Sequence, residues 1–252
     1  MTPLLELVDL TKSFGGVKAV DGLSFAVNER EILGLIGPNG AGKSTVFNLI
    51  SGVFRPDRGR VRFRGVDITN QPAHRVARHG LARAHQIVQP LPLMSVLENC
   101  MVGACFGQEN LSLARAREAA RESAVFVGLE ERLATPAAQL TIAGKKRLEL
   151  ARALAAAPVL MLLDEVLAGL NPTEVERMTD VIRRIRGRGI AILIIEHLMQ
   201  AIMGLSDRIV VLNVGQKLAE GVPEAVANDP AVIVAYLGDP AAAKTLHREA
   251  RT

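Results

Sequence analysis

The chain has 252 residues, 49% of them hydrophobic, with a formal net charge of +4 and two cysteines. That is enough apolar material for one sizeable core. Cys100 and Cys105 have neither CxxC spacing nor a nearby histidine cluster, which argues against a zinc site. Aromatics at 3% with no tryptophan argue against a surface that stacks single-stranded nucleic acid.

Taken in chain order, Leu5 to Val8 and Leu23 to Val27 read as strands of a β-rich edge, separated by the Gly15-Gly16 turn. The N-terminal Met1–Glu6 lacks the basic-then-apolar pattern of a secretory leader, so the expected location is the cytosol. Ile32 to Ile36 is a continuous apolar run of buried-strand character, and Thr45 to Ile50 has the spacing of a helix. Between them lies Gly37-Pro38-Asn39-Gly40-Ala41-Gly42-Lys43-Ser44-Thr45, a match to G-x-x-x-x-G-K-[ST] in the strand–loop–helix context that this loop requires. Four residues between the outer glycines let successive N–H groups and a helix N-terminus converge on the phosphates of a nucleoside triphosphate. Lys43 adds a mobile positive charge, Ser44 a hydroxyl that Mg²⁺ takes as ligand, and glycines 37, 40 and 42 remove Cβ atoms that would hold the nucleotide away.

Arg60 to Arg64 follows as another edge strand. Met94 to Met101, Leu111 to Val127, Glu130 to Leu133 and Lys145 to Ala157 then carry helical apolar spacing, punctuated by Pro90, Pro92, Gly128 and Pro136. The basic segments 75–83, 115–121, 145–152 and 183–188 read as solvated helix faces. Val159 to Leu163 is a second buried strand, ending in Asp164-Glu165. Two carboxylates released at the end of a parallel strand suit two tasks: Asp164 to hold Mg²⁺ and Glu165 to orient or deprotonate an attacking water. A helix over Thr173 to Arg186 and strands over Ala191 to Ile195 and Arg208 to Leu212 complete an α/β pattern, and 239–252 reads as a frayed tail.

From about Leu5 to Gly238 these residues resemble the ATP-binding subunits of ABC transporters, and within them the branched-chain amino acid importer ATPases. Ser13-Phe14-Gly15-Gly16-Val17-Lys18-Ala19-Val20 is similar to the family's adenine loop, with Phe14 on the base and Ala19 beside it. Gln86, ahead of Met94-Ser95-Val96-Leu97-Glu98-Asn99, falls at the family's Q-loop, implying a role at the metal and the attacking water. His197, after Ile194-Ile195-Glu196, falls at the switch histidine. The closing Ala219-Glu220-Gly221 and Val232–Gly238 point to the branched-chain amino acid branch. The resemblance implies a P-loop NTPase of ABC type: residues 1–238 as the ATPase domain, with an α/β core over 1–89 and 158–238 and a helical subdomain over 90–157. It implies ATP and Mg²⁺, a head-to-tail dimer with a second ABC ATPase, integral-membrane permease partners on the inner face of the membrane, a solute-binding protein acting indirectly, and no nucleic acid.

The family's signature, normally Leu-Ser-Gly-Gly-Gln, reads here Leu140-Thr141-Ile142-Ala143-Gly144. Thr141 keeps the hydroxyl, Ala143 replaces a glycine and Gly144 the glutamine. Asn171 stands where most relatives carry aspartate, and Val166 where proline commonly follows the catalytic glutamate. The expectation is a usable but slower site in trans, with Ala143 adding a methyl against the partner's nucleotide while Lys145 and Lys146 add positive potential. The same motifs would serve a lipid or lipopolysaccharide exporter. A soluble ABC-type ATPase acting on nucleic acid or ribosomes is opposed by the single phosphate loop and the lack of long heptads.

Overall fold

The computed structural model describes residues 3–86 and 90–237. The expected tail, 239–252, lies outside the described residues, as does Gly238. Strands β1 (Leu5–Phe14) and β2 (Val17–Val27) form a long antiparallel pair with several register shifts. β3 (Ile32–Ile36) leads into α1 (Lys43–Ile50). β4 (Arg58–Phe63), β5 (Val66–Asp67), α2 (Ala73–Arg78) and β6 (Leu81–Ala84) follow.

The helical stretch holds α3 (Val96–Phe106), α4 (Leu113–Phe126) and α5 (Ile142–Ala155), with 3₁₀ turns at Glu130–Arg132 and Ala137–Gln139. Ser95 and Glu98 close a capping box at the start of α3, which sets that helix two residues later than its apolar spacing alone predicts. The helix expected from Lys145 begins instead at Ile142, because the Thr141 hydroxyl accepts the Gly144 N–H and caps it three residues earlier. The chain ends in β7 (Leu160–Asp164), α6 (Pro172–Gly187), β8 (Ala191–Ile195), α7 (Met199–Leu205), β9 (Arg208–Asn213), β10 (Gln216–Gly221), α8 (Pro223–Ala227) and α9 (Pro230–Leu237).

Two sheets result, one in the order β2-β1-β4-β5 and the other β10-β9-β3-β8-β7-β6. In the second, every pairing is parallel except β9 with β10. Alternate residues of its central strands serve two apolar layers. Leu33, Leu35, Leu160, Leu162, Leu193 and Ile195 pack with α1 and the four-stranded sheet. Ile32, Ile36, Met161, Leu163, Ile192 and Ile194 pack with α3 to α7. Burial on both faces is why these strands read as unbroken apolar runs.

Segment 75–83 departs from its reading as a solvated helix face: it is α2 followed by β6, with Arg83 inside the sheet. Parallel pairing brings the carboxyl ends of β3, β8, β7 and β6 side by side, the edge at which ligands bind in open α/β sheets.

Candidate functional site

The phosphate loop leaves β3 at Gly37 and enters α1 through Gly42, a left-handed N-cap with φ 102° and no side-chain cap. The first N–H groups of α1 are therefore free of any capping side chain. Lys43 is 7% exposed; its ammonium donates to the carbonyls of Gly37 at 2.7 Å and Pro38 at 2.9 Å. Burial lowers its pKa, opposed by the Glu165 and Asp164 carboxylates. Two of the glycines serve the fold and not ligand access alone. A Cβ at Gly37 would lie 2.2 Å from the Leu212 carbonyl oxygen, and one at Gly42 would lie 2.2 Å from that of Ala19. Gly40 has open space and, like Asn39 and Ser44, is exposed; Thr45 is half-buried and Ala41 buried.

Asp164, at the end of β7, is 4% exposed. Its Oδ2 accepts from Arg83 at 2.7 Å, while its Oδ1 is buried with no partner. Arg83 also donates to Asn48 Oδ1 at 2.6 Å and lies 5.5 Å from the centre of the Phe47 ring. An orphaned carboxylate oxygen beside the mouth of the phosphate loop is a donor suited to a hard divalent cation. Among the described residues no cluster of three or more His, Cys, Asp or Glu forms a cage, so a metal here would take one or two side chains and the substrate's phosphates, the Mg²⁺ habit.

Glu165 gathers the remaining candidates. One carboxylate oxygen accepts the Gln86 amide N–H, and the other meets His197 Nε2 at 2.5 Å. The residue sits at φ 50°, in the left-handed region, with its N–H donating to Ile195 O at 2.9 Å and its carbonyl accepting from Lys146 at 2.9 Å. Segments far apart in sequence thus meet on one carboxyl group. Gln86 spends its amide nitrogen here, which leaves the amide oxygen for a cation.

Two residues beyond Glu165, the Leu167 N–H donates to Glu196 Oε1 at 2.7 Å. Glu196 is 2% exposed, and burial pushes its pKa up to about 7 despite the Leu167 N–H and the Lys146 charge.

Phe14 is exposed at the end of β1, edge-on to Phe54 with centroids 5.3 Å apart, so it is no core residue; Lys12 Nζ lies 5.5 Å from the centre of its ring. Ala19 is half-buried and backs the phosphate loop through its carbonyl. Leu140, Thr141, Ala143 and Gly144 lie apart, at the start of α5, and among the described residues no hydrogen bond joins them to 37–45. Thr141 uses an oxygen lone pair on Gly144 N–H, so its hydroxyl proton is free to donate.

Ala143 is 8% exposed and lines a surface pocket with Thr141 and Gly144, whereas Ile142 is 65% exposed and is the larger side chain this turn presents outward. The expectation for the signature is corrected in one place. Lys146 is 6% exposed and points to its own Glu165, so it adds no charge at the signature's outer face. Asn171 caps α6 in a box with Glu174, a task aspartate shares.

Arg83, Glu196 and Tyr236 were given no role by sequence reasoning, and Lys146 was given the wrong one. Tyr236, on α9, lies beside Gly37 at the root of the phosphate loop, and burial raises its pKa, opposed by the Gly37 N–H. For Arg83 and Lys146 the signal available was a basic residue inside a largely apolar segment; Glu196 and Tyr236 carried none.

A profile of the family described as "ABC transporter" matches residues 20–168, and one described as "Branched-chain amino acid ATP-binding cassette transporter" matches residues 216–242. The chain is 38% identical to the high-affinity branched-chain amino acid transport ATP-binding protein BraF of Pseudomonas aeruginosa and 39% identical to LivG of Escherichia coli, in each case over 94% of this chain and 98% of the relative. Among solved structures, the ADP conformation of MJ1267, an ATP-binding cassette of an ABC transporter, superposes with a TM-score of 0.85 at 32% identity. It covers 95% of this chain and 100% of that one. A nucleotide-free ATP-binding cassette from an ABC transporter gives 0.85 at 32% identity over 94% and 100%.

Proposed function

Because this chain belongs to the ABC transporter family of ATP-binding subunits, we propose that its sheet edge binds ATP and hydrolyses it to power permease subunits importing branched-chain amino acids or related small polar solutes. The observation that carries the reading is the meeting of Gln86 and His197 on the Glu165 carboxylate, beside Lys43 and Asp164. Lys43 and the uncapped turn of α1 hold the β- and γ-phosphates, and Phe14 stacks on the adenine with Ala19 beside it. Ser44, Asp164 and the Gln86 amide oxygen would hold Mg²⁺, which when bound neutralises charge on the phosphates. Glu165 accepts the proton of the attacking water, and His197 and Gln86 fix the orientation of its carboxylate.

A second ABC ATPase subunit completes the site, its signature presenting the equivalents of Leu140, Thr141, Ala143 and Gly144 to the γ-phosphate. The free hydroxyl proton of Thr141 is the donor this chain offers in return. The permease docks in the apolar groove between α2 and α3, where Val53 and Phe106 are exposed beside Val76, His85 and Val102. Among the described residues no helix is long and apolar enough to cross a membrane, so attachment to the cytoplasmic face runs through those permeases, and a solute-binding protein acts across them.

Glu165→Gln tests the assignment. In complex with its permeases the variant keeps ATP binding and loses about two to four decades of hydrolysis, and solute uptake into vesicles falls with it. An unchanged rate refutes the role given to Glu165.

A further inference from the structure

We propose that Lys146 is a positioning residue through which the signature helix sets the backbone of the catalytic glutamate in the same subunit. The inference rests on the reading of Glu165 as the base.

A lysine that is 6% exposed has lost most of its water, and the structure shows what replaces it. Its ammonium donates at 2.9 Å to the Glu165 carbonyl, and the Glu196 and Glu165 carboxylates supply opposite charge. Glu165 has just left β7 and turned to φ 50°, a conformation disfavoured for a residue with a Cβ. Its N–H still donates to the Ile195 carbonyl of β8, while its own carbonyl, past the end of the ladder, receives only a long backbone bond, 3.3 Å, from the Ala168 N–H, and Lys146 adds the shorter one. Beyond its own Ala168 N–H to Glu165 carbonyl bond, the turn that follows is held by side chains of other elements at the Glu165 carbonyl, by Lys146 from α5, and at the Leu167 N–H, by Glu196 from the end of β8. With its N–H held by the Ile195 carbonyl and its own carbonyl held by Lys146, Glu165 is fixed in φ and ψ from both sides, and with them the direction in which its side chain leaves the backbone toward Gln86 and His197.

The other end of the same helix gives this bond its consequence. Thr141 caps α5, and Lys146 is five residues further, about 7.5 Å along the helix axis at 1.5 Å per residue. Any displacement of the first turn of α5 when the partner's nucleotide engages Thr141 therefore reaches Glu165 through a single side chain. Lys146 links the site this chain completes in trans with the site it holds in cis.

The experiment uses the full chain with ATP, comparing wild type, Lys146→Met, Lys146→Arg, Glu165→Gln and the Lys146→Met/Glu165→Gln double variant. Lys146→Met is expected to lower kcat about 10- to 100-fold, the scale of misplacing a catalytic group, with KM and ATP affinity within about twofold of wild type. Lys146→Arg, which keeps a charged donor, recovers most of the rate. In single turnovers the double variant is no slower than Glu165→Gln, because Lys146 acts through that carboxylate. A wild-type kcat for Lys146→Met overturns the proposal, as does a loss that multiplies with that of Glu165→Gln. If Lys146→Met does not fold, Lys146→Gln, whose amide ends one bond short of the carbonyl, carries the same expectations and the same refutation. A fast Glu165→Gln enzyme would instead refute the base assignment, whatever the Lys146 variants do.

Discussion

Arg83→Met removes the cation from a buried pair whose partner is the proposed metal-holding carboxylate. Arg83 and Asp164 have side chains 11% and 6% exposed and meet at 2.7 Å. At an effective dielectric of about 20 the gross attraction at that distance is roughly 6 kcal/mol, much of it offset by the desolvation of both groups. Removing one partner leaves Asp164 with both oxygens unsatisfied and Asn48 Oδ1 without this donor. The expected cost is about 3–5 kcal/mol, the usual penalty for breaking a buried pair from one side. Methionine keeps an unbranched, flexible apolar stem, so lost packing is the smaller part of the cost. For a chain of this size the loss lowers Tm by about 10 °C. The assay is thermal melting with and without Mg²⁺ and a non-hydrolysable ATP analogue. A cation delivered with the nucleotide beside Asp164 replaces part of the missing charge, so the variant gains more from the ligand than the wild type does. A fall in Tm of less than about 3 °C, or equal ligand gains in both proteins, refutes the reasoning.

Lys43→Ala is expected to weaken ATP binding roughly 10- to 100-fold, the worth of a charged hydrogen-bond donor, and to abolish turnover; equilibrium binding of a fluorescent ATP analogue checks it. Ile142→Ala, placed in the Glu165→Gln background, weakens the ATP-dependent dimer by about 1–2 kcal/mol, because the exposed Ile142 is what α5 offers an apposed surface, whereas Ala143→Gly leaves dimerisation unchanged. Sedimentation with ATP separates the two variants, and an effect of Ala143→Gly alone contradicts the placement. Glu196, raised from 4.5 to about 7 in the folded protein, binds a proton there that the unfolded chain has released. Its contribution therefore falls as pH rises through that window and is level above about 7. Glu196→Gln removes this term, so its stability relative to wild type in urea rises between pH 5 and pH 8 by up to roughly 3 kcal/mol; the same difference at both pH values refutes it.

What the sequence makes legible is chemistry confined to one stretch. The phosphate loop and the Asp164-Glu165 pair each lie within ten residues and follow an apolar run, so spacing alone exposes them. Gln86 and His197 carry no such local signature, and the resemblance located them. The roles of Arg83 and Lys146 stayed hidden for a physical reason. A basic residue in a short amphipathic segment reads as solvated unless its counter-charge is known, and theirs lie on other elements: Arg83 is 81 positions from Asp164, and Lys146 is 19 from Glu165. The register of one helix was misjudged: the Thr141 cap starts α5 at Ile142 and not at Lys145, which places residue 143 in the first helical turn and makes Ile142 the exposed side chain. Charges assigned to solvent were holding the catalytic strand ends in place. The site is therefore a set of parallel strand ends at which Gln86, Asp164, Glu165 and His197 gather, and the last three of these segments are braced by groups one layer further in, Arg83, Lys146 and Glu196; substitutions in that inner layer alter turnover while leaving nucleotide contacts intact.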